Sequence, residues 1–136
     1  MSEIILRPLK GKLAIADLFN NGRRIHSDSS MAFVKLRDSV TTDESIIVSY
    51  VVSISKRTAK KAIIRNRIKR LLRESLRLSA MEPALVDKIS RLESIILLWR
   101  KAPEHHKLIH LKDILPIVQR MLNSIDKKNA SYYKEG

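Results

Sequence analysis

The chain has 136 residues, no cysteine, and 27 Lys and Arg against 14 Asp and Glu, for a formal net charge of +13. That length suits about one domain, and 44% hydrophobic residues with three Gly and four Pro exclude a disordered low-complexity polymer. The missing cysteines exclude a disulfide framework or thiolate metal site and fit a reducing cytosol, no apolar run is long enough for a signal peptide or membrane span, and a charge of this size and sign points to a polyanionic partner.

The first predicted element is a short helix from Lys10 to Asn21, with Leu13, Leu18 and Phe19 as its larger apolar residues and Gly22 at the C′ position. Met31–Arg37 alternates as a strand: Ala32, Val34 and Leu36 share one face, Met31 and Phe33 the other. Asp38–Glu44 is polar apart from Val40 and reads as a hairpin loop. It leads into a strand rich in β-branched residues, Ile46–Ile54, so the two strands are expected to pair antiparallel. A helix follows from Thr58 to Ser79. Met81–Asp87, with Pro83, is expected to connect it to a short buried strand, Ser94–Trp99, in which Trp99 is core. Lys101–His110 reads as a polar loop. The last helix is expected to begin at Asp113 as N-cap, with Pro116 in the first turn. Its stripe of Ile114, Ile117, Val118, Met121, Leu122 and Ile125 faces a core, and Lys127 and Lys128 suit its C-terminus. The tail after Asn129 is expected to be flexible. No internal repeat or linker divides the chain, which predicts one domain over residues 1–136.

The charge is concentrated. Lys56–Arg77 holds ten cations (Lys56, Arg57, Lys60, Lys61, Arg65, Arg67, Lys69, Arg70, Arg73 and Arg77) against one anion, Glu74, which leaves +4 for the other 114 residues. Solvated helix faces ordinarily mix both signs. On a helical wheel Ile64, Ile68, Leu71, Leu72 and Leu78 fall in one arc that can pack on a sheet. Arg65, Asn66, Lys69, Arg70, Arg73 and Arg77 occupy an adjacent face, with the small Ala62 among them. Like charges at i,i+4 repel by a few tenths of a kcal/mol per pair, and Glu74 reaches only Arg70 and Arg77. A phosphate backbone would neutralise the rest and release counterions. One Asn among many cations suits backbone recognition better than base reading in a DNA groove.

The run Ser55-Lys56-Arg57, then Lys60-Lys61-Ala62, then Arg65-Asn66-Arg67-Ile68-Lys69-Arg70-Leu71-Leu72-Arg73-Glu74 resembles the "RNR" signature of the bacterial ribonuclease P protein component. The resemblance extends through Leu9-Lys10, Phe19 and Gly22 to the strand Ser94–Trp99 and the final helix. It implies an α/β two-layer sandwich with a central mixed sheet of about four strands and three helices, the ribosomal protein S5 domain 2-like fold, in which the basic helix joins two parallel strands by a left-handed βαβ crossover. It also implies the function: binding a large catalytic RNA, one protein per RNA, and assisting removal of the 5′ leader from precursor tRNA in the cytoplasm. The RNA and its Mg²⁺ would do the chemistry. RNA-binding residues would be Lys56, Arg57, Lys60, Lys61, Arg65, Asn66, Arg67, Lys69, Arg70 and Arg73. A leader-binding cleft would be lined by Ile15, Phe19 and Phe33, aromatics being able to stack on any base. Core packing is the competing role for both phenylalanines.

No catalytic side chain is expected. A self-sufficient nuclease needs a general base and acid or a carboxylate cluster for metal. The four histidines are His26 and the loop residues His105, His106 and His110, with only Glu104 and Asp113 near the last three, so no metal site is expected either. Three other classes compete. A ribosomal or ribosome-assembly protein with no enzyme role fits the charge but not the ordered motif. A DNA binder would pair the basic helix with a second helix. A membrane-surface helix would carry aromatics on its apolar face, and this one has none.

Overall fold

The computed structural model describes residues 3–38 and 45–125 and the backbone of 132–133. In chain order the elements are β1 (Glu3–Pro8), α1 (Lys12–Asn21), β2 (Arg23–Ser27), β3 (Ser30–Leu36), β4 (Ser45–Ile54), α2 (Ala62–Ala80), α3 (Pro83–Ile89), β5 (Leu92–Trp99), a 3-10 turn (His106–Leu108), α4 (Leu111–Asn123) and β6 (Tyr132–Tyr133). The strands form one mixed sheet in the order β1-β4-β5-β3-β2-β6. It has six strands and four α-helices among the described residues, where about four and three were expected.

The expected antiparallel pair of β3 with β4 does not form. β5 lies between them, antiparallel to β3 and parallel to β4. The reason is burial: Ile95, Ile96 and Leu97 are all at most 1% exposed, so β5 needs a neighbour on each edge and cover on each face. As the family resemblance implies, the basic helix α2 lies in the connection between the parallel strands β4 and β5. The antiparallel hairpin is instead β2–β3, closed where the Ser27 hydroxyl accepts the Ser30 N–H at 3.0 Å. Residues 39–44 of the expected loop lie outside the described residues, as do Lys127 and Lys128. Of the expected flexible tail, only the backbone of β6 is described, paired parallel to His26–Ser27.

Alternation along β3 divides the core as expected. Ala32 and Val34 join Ile95 and Leu97 beneath α2, α3 and α4. Phe33 turns to the opposite face and joins Leu18 of α1 and Ile96. The sheet is therefore covered on both faces, with α1 as a partial third layer. On α4 Ile114, Val118, Met121 and Leu122, and just beyond its end Ile125, are at most 1% exposed, and each such side chain contributes about 1.5–3 kcal/mol on burial.

Several element ends differ from expectation. The helix α1 starts at Lys12, after Gly11 at φ 103°, and Leu13 points to solvent at 88% exposure. Gly22 ends α1 in an extended conformation. A glycine is needed there for closeness, because a Cβ would lie 2.5 Å from the Leu18 carbonyl oxygen. Pro83 opens α3 inside the expected connection, burying Leu85 and Ile89. The helix α4 begins one turn early: the N-cap is His110, whose ring accepts the Asp113 N–H, while Asp113 Oδ2 accepts the His110 N–H at 2.8 Å. Asp113 is thus the third residue of a reciprocal cap. Pro116 falls inside the helix on its exposed side, where the Lys112 carbonyl it leaves unpaired lies on a solvent-facing turn.

Candidate nucleic-acid interface

The basic stretch divides into a loop and a ridge. The helix α2 begins at Ala62, later than expected, because Ser55–Thr58 forms its own turn: the Ser55 hydroxyl accepts the Thr58 N–H at 3.0 Å and its carbonyl accepts the Ala59 N–H at 3.1 Å. Ala59 is buried beneath this turn, and Lys56, Arg57, Lys60 and Lys61 stand exposed around it. Arg65 holds the loop, its Nη1 donating to the carbonyls of Ala59 at 2.8 Å and Lys60 at 2.7 Å.

Along α2, Ile64, Ile68, Leu72 and Leu76 are buried. Ser75 and Ser79 share this buried face, each donating its hydroxyl to the carbonyl four residues back. The packed arc is therefore centred nearer Ser75 and Leu76 than the leucine pattern suggested, and Leu78 lies at its margin. On the opposite side Asn66, Arg70, Arg73 and Arg77 form an exposed ridge, with Lys69 half-buried on its flank. Among the described residues the side chains of Asn66, Lys69, Arg70 and Arg73 have no hydrogen-bond or ion-pair partner. Glu74 pairs with Arg77 at 2.5 Å and not with Arg70. The Arg77 hydrogen bond holds the Glu74 carboxyl below its ordinary value, outweighing the opposing effect of burial, and the Arg77 charge adds to it.

Arg67 leaves the ridge. Its Nε donates to the Ile109 carbonyl at 2.9 Å and its Nη2 approaches His110 Nδ1 at 3.3 Å, tying α2 to the start of α4. Next to this tether, His105 and His106 stack with ring centroids 4.3 Å apart. His106 is held below the ordinary histidine value, first by loss of water around the ring and then by the charges of His105, Lys107, Arg67 and Lys61. Among the described residues no group of three His, Cys, Asp or Glu side chains could hold a metal ion.

The second group of candidate residues lies on the other face of the sheet. Ile15 and Phe19 of α1 and Phe33 of β3 belong to one apolar cluster. The Phe19 and Phe33 rings meet edge to face at 4.9 Å. Phe33 is only 6% exposed and Phe19 and Ile15 are half-buried, so the open part of this surface belongs to α1. The sequence reading missed Arg24, whose guanidinium lies 5.8 Å from the Phe33 ring centroid. The available signal was its place in an unrecognised strand, directly across from Phe33 in register. His26 shares this face of β2. Burial, then Arg100 and Arg24, keep its pKa below the ordinary 6.5.

A mixed sheet whose parallel strands β4 and β5 are connected through a helix bearing an exposed arginine ridge defines an α/β protein with one concentrated positive surface. The family model described as Ribonuclease P matches residues 6–102, most of the chain. This chain belongs to the ribonuclease P protein family. Among solved structures it is similar to the RNase P protein of Staphylococcus aureus, at 18% identity over 95% of this chain and 100% of that one, with a TM-score of 0.59. It is also similar to a mutant of that S. aureus protein described as defective in mRNA degradation activity, at 17% identity over 85% and 84% of the two chains, with a TM-score of 0.58. These likenesses carry the fold. No curated protein matches the chain.

Proposed function

We propose that this protein is the RNA-binding subunit of a cytoplasmic ribonuclease P, one copy per catalytic RNA, assisting removal of the 5′ leader from precursor tRNA. The observation that carries the reading is the ridge of Asn66, Arg70 and Arg73, with Lys69 beside it, unneutralised among the described residues in a member of this family. Phosphates of the catalytic RNA would lie on that ridge and on Lys56, Arg57, Lys60 and Lys61. Arg65 and Arg67 would shape the surface as much as touch the RNA, since their guanidinium groups already hold protein carbonyls. The leader would lie on the opposite face of the sheet, against Ile15, Phe19 and Phe33, where stacking tolerates any sequence. Two separate surfaces suit a protein that holds one RNA permanently and another briefly. The Mg²⁺ would be carried by the catalytic RNA and the substrate, and the RNA would supply the cleaving groups.

The test is to purify the protein from its own cells, identify the RNA that comes with it, and assay that complex on precursor tRNA. Protein alone should cleave nothing. Added to its RNA it should stimulate cleavage most at low Mg²⁺, because a +13 protein does part of the counterion work between two polyanions. Recovery with ribosomal particles and no processing activity would favour the ribosome-assembly reading. Cleavage by RNA-free protein that survives repurification would overturn the division of labour.

A further inference from the structure

A hollow beside the ridge opens between the edge strand β1, its neighbour β4, the C-terminal half of α2 and the middle of α3. Its volume is about 720 Å³, within the ~300–1,000 Å³ typical of small-ligand sites. Ile4, Leu6 and Tyr50 give it an apolar wall. Met81, 68% exposed, stands at its opening on α2's end. Arg70 and Arg73 line it as well, and both belong to the unneutralised ridge. Two carboxylates share the lining: Glu74, already paired with Arg77, and Glu3 at the β1 end.

From this juxtaposition we infer that the hollow is a subsite for one or two unpaired nucleotides of the RNA bound along α2, with the phosphates on Arg70 and Arg73 and the base turned inward against Tyr50 and the aliphatic wall. The inference rests on the RNA-binding reading of the ridge. Charge complementarity selects the occupant. An apolar peptide would leave the two arginines unmatched, whereas a nucleotide carries an anion and a flat apolar face on one rigid unit. An aromatic ring and a thioether suit the faces of a base, and stacking of this kind is indifferent to sequence. Glu3 would repel a phosphate placed deep in the hollow, which favours the base-inward orientation. Its carboxylate can accept only from a donor, such as the exocyclic amino group of an unpaired base. A paired helix could not enter, because its bases are stacked inside.

Because the chain has no cysteine, Met81→Cys gives a unique attachment point for a photoactivated cross-linker. The probe is the full-length protein bound to the RNA that co-purifies with it. The expected result is cross-linking to one short unpaired segment, whose bases also become protected from chemical modification when parent protein binds. In parallel, Met81→Glu should weaken binding of that RNA by roughly five-fold or more, the lower end of one lost stack. Ala84→Glu puts the same charge on exposed α3 outside the hollow and should change affinity by less than about two-fold. Melting temperatures of both variants should match the parent. Cross-links scattered over paired regions, equal losses for the two glutamate variants, or a protein as the cross-linked partner would each overturn the subsite while leaving the ridge intact. Failure of the parent to bind any RNA would remove the ridge and the subsite together.

Discussion

The two faces of the sheet hold themselves together differently. The face under α2, α3 and α4 carries a continuous core, including Ile68, Leu72, Leu76 and Ile114, each fully buried. Among the described residues the apolar cluster under α1 has three buried members, Leu18, Phe33 and Ile96, ringed by half-buried ones. A thick core can carry a charged ridge on the far side of its helix, because the apolar stripe holds α2 whatever repulsion the arginines add. A thin core leaves apolar side chains such as Ile15 and Phe19 partly open, which is what a surface for transient contacts requires. On the proposed function, the permanent and the brief partner are matched to the deep and shallow sides of one sheet.

The sharpest way to break this comparison is to truncate one buried leucine on each face. Leu72→Ala should cost about 2–5 kcal/mol in urea unfolding, the range for large-to-small core changes. Leu18→Ala should fall toward the lower end of the same range, because α1 has fewer neighbours to lose. Equal costs would mean that the α1 face is core of the same kind, and its reading as an open binding surface would weaken.

Phe19→Ala tests the same face by function. The half-buried ring should be worth about 1–3 kcal/mol as a stacking platform, so leader-bearing precursor should bind roughly five- to a hundred-fold more weakly and mature tRNA almost equally well. A large fall in melting temperature with equal losses for both RNAs would return Phe19 to plain packing against Phe33.

On the deep side the matching test is Arg70→Ala with Arg73→Ala. Two lost phosphate contacts should flatten the slope of log affinity against log salt by roughly 1.4–1.8, with no change in melting temperature. Arg67→Ala should behave differently. It breaks a charged hydrogen bond to the Ile109 carbonyl, so it should cost about 1.5–3 kcal/mol of stability. Similar behaviour of the ridge pair and Arg67 would erase the distinction between contact and tether.

How much of this was legible in the sequence follows from range. Local periodicity placed the β3 faces, the apolar stripes of α2 and α4, and the charged ridge, because each is decided within a few residues. It also put Phe19 and Phe33 on elements that could meet. Strand pairing was not legible: β5 enters between β3 and β4 from some forty residues away. β1 and β2 were missed as edge or near-edge strands, β2 having a single apolar residue, Ile25, between charged and polar ones. The short α3 was hidden by Pro83, which opens a helix as readily as it ends one. Within the site, composition could count the cations but could not tell free arginines from engaged ones. Arg65 and Arg67 find their carbonyl partners only once the loop before α2 and the start of α4 are folded against them.

The smallest expected effect is a titration on the shallow face. Removal of His26 from water, followed by the charges of Arg100 and Arg24, keeps its folded pKa below 6.5. The unfolded chain therefore binds a proton at this residue more readily than the folded chain. Stability linked to His26 is fully present above about pH 6.5 and is lost as pH falls through the lower folded value. Relative to His26→Gln, the parent should lose melting temperature between about pH 7 and pH 5. A ring-proton titration by NMR should place the His26 midpoint below that of an unfolded reference peptide. The surrounding cations give the titration a second use. A phosphate bound near Arg24 and Arg100 would offset their charge and raise the midpoint, whereas RNA confined to the α2 ridge, on the other side of the sheet, would leave it unmoved. An unchanged midpoint on adding leader-bearing precursor would place the leader away from β2, and a rise would extend its path from Phe19 and Phe33 to the sheet's far edge.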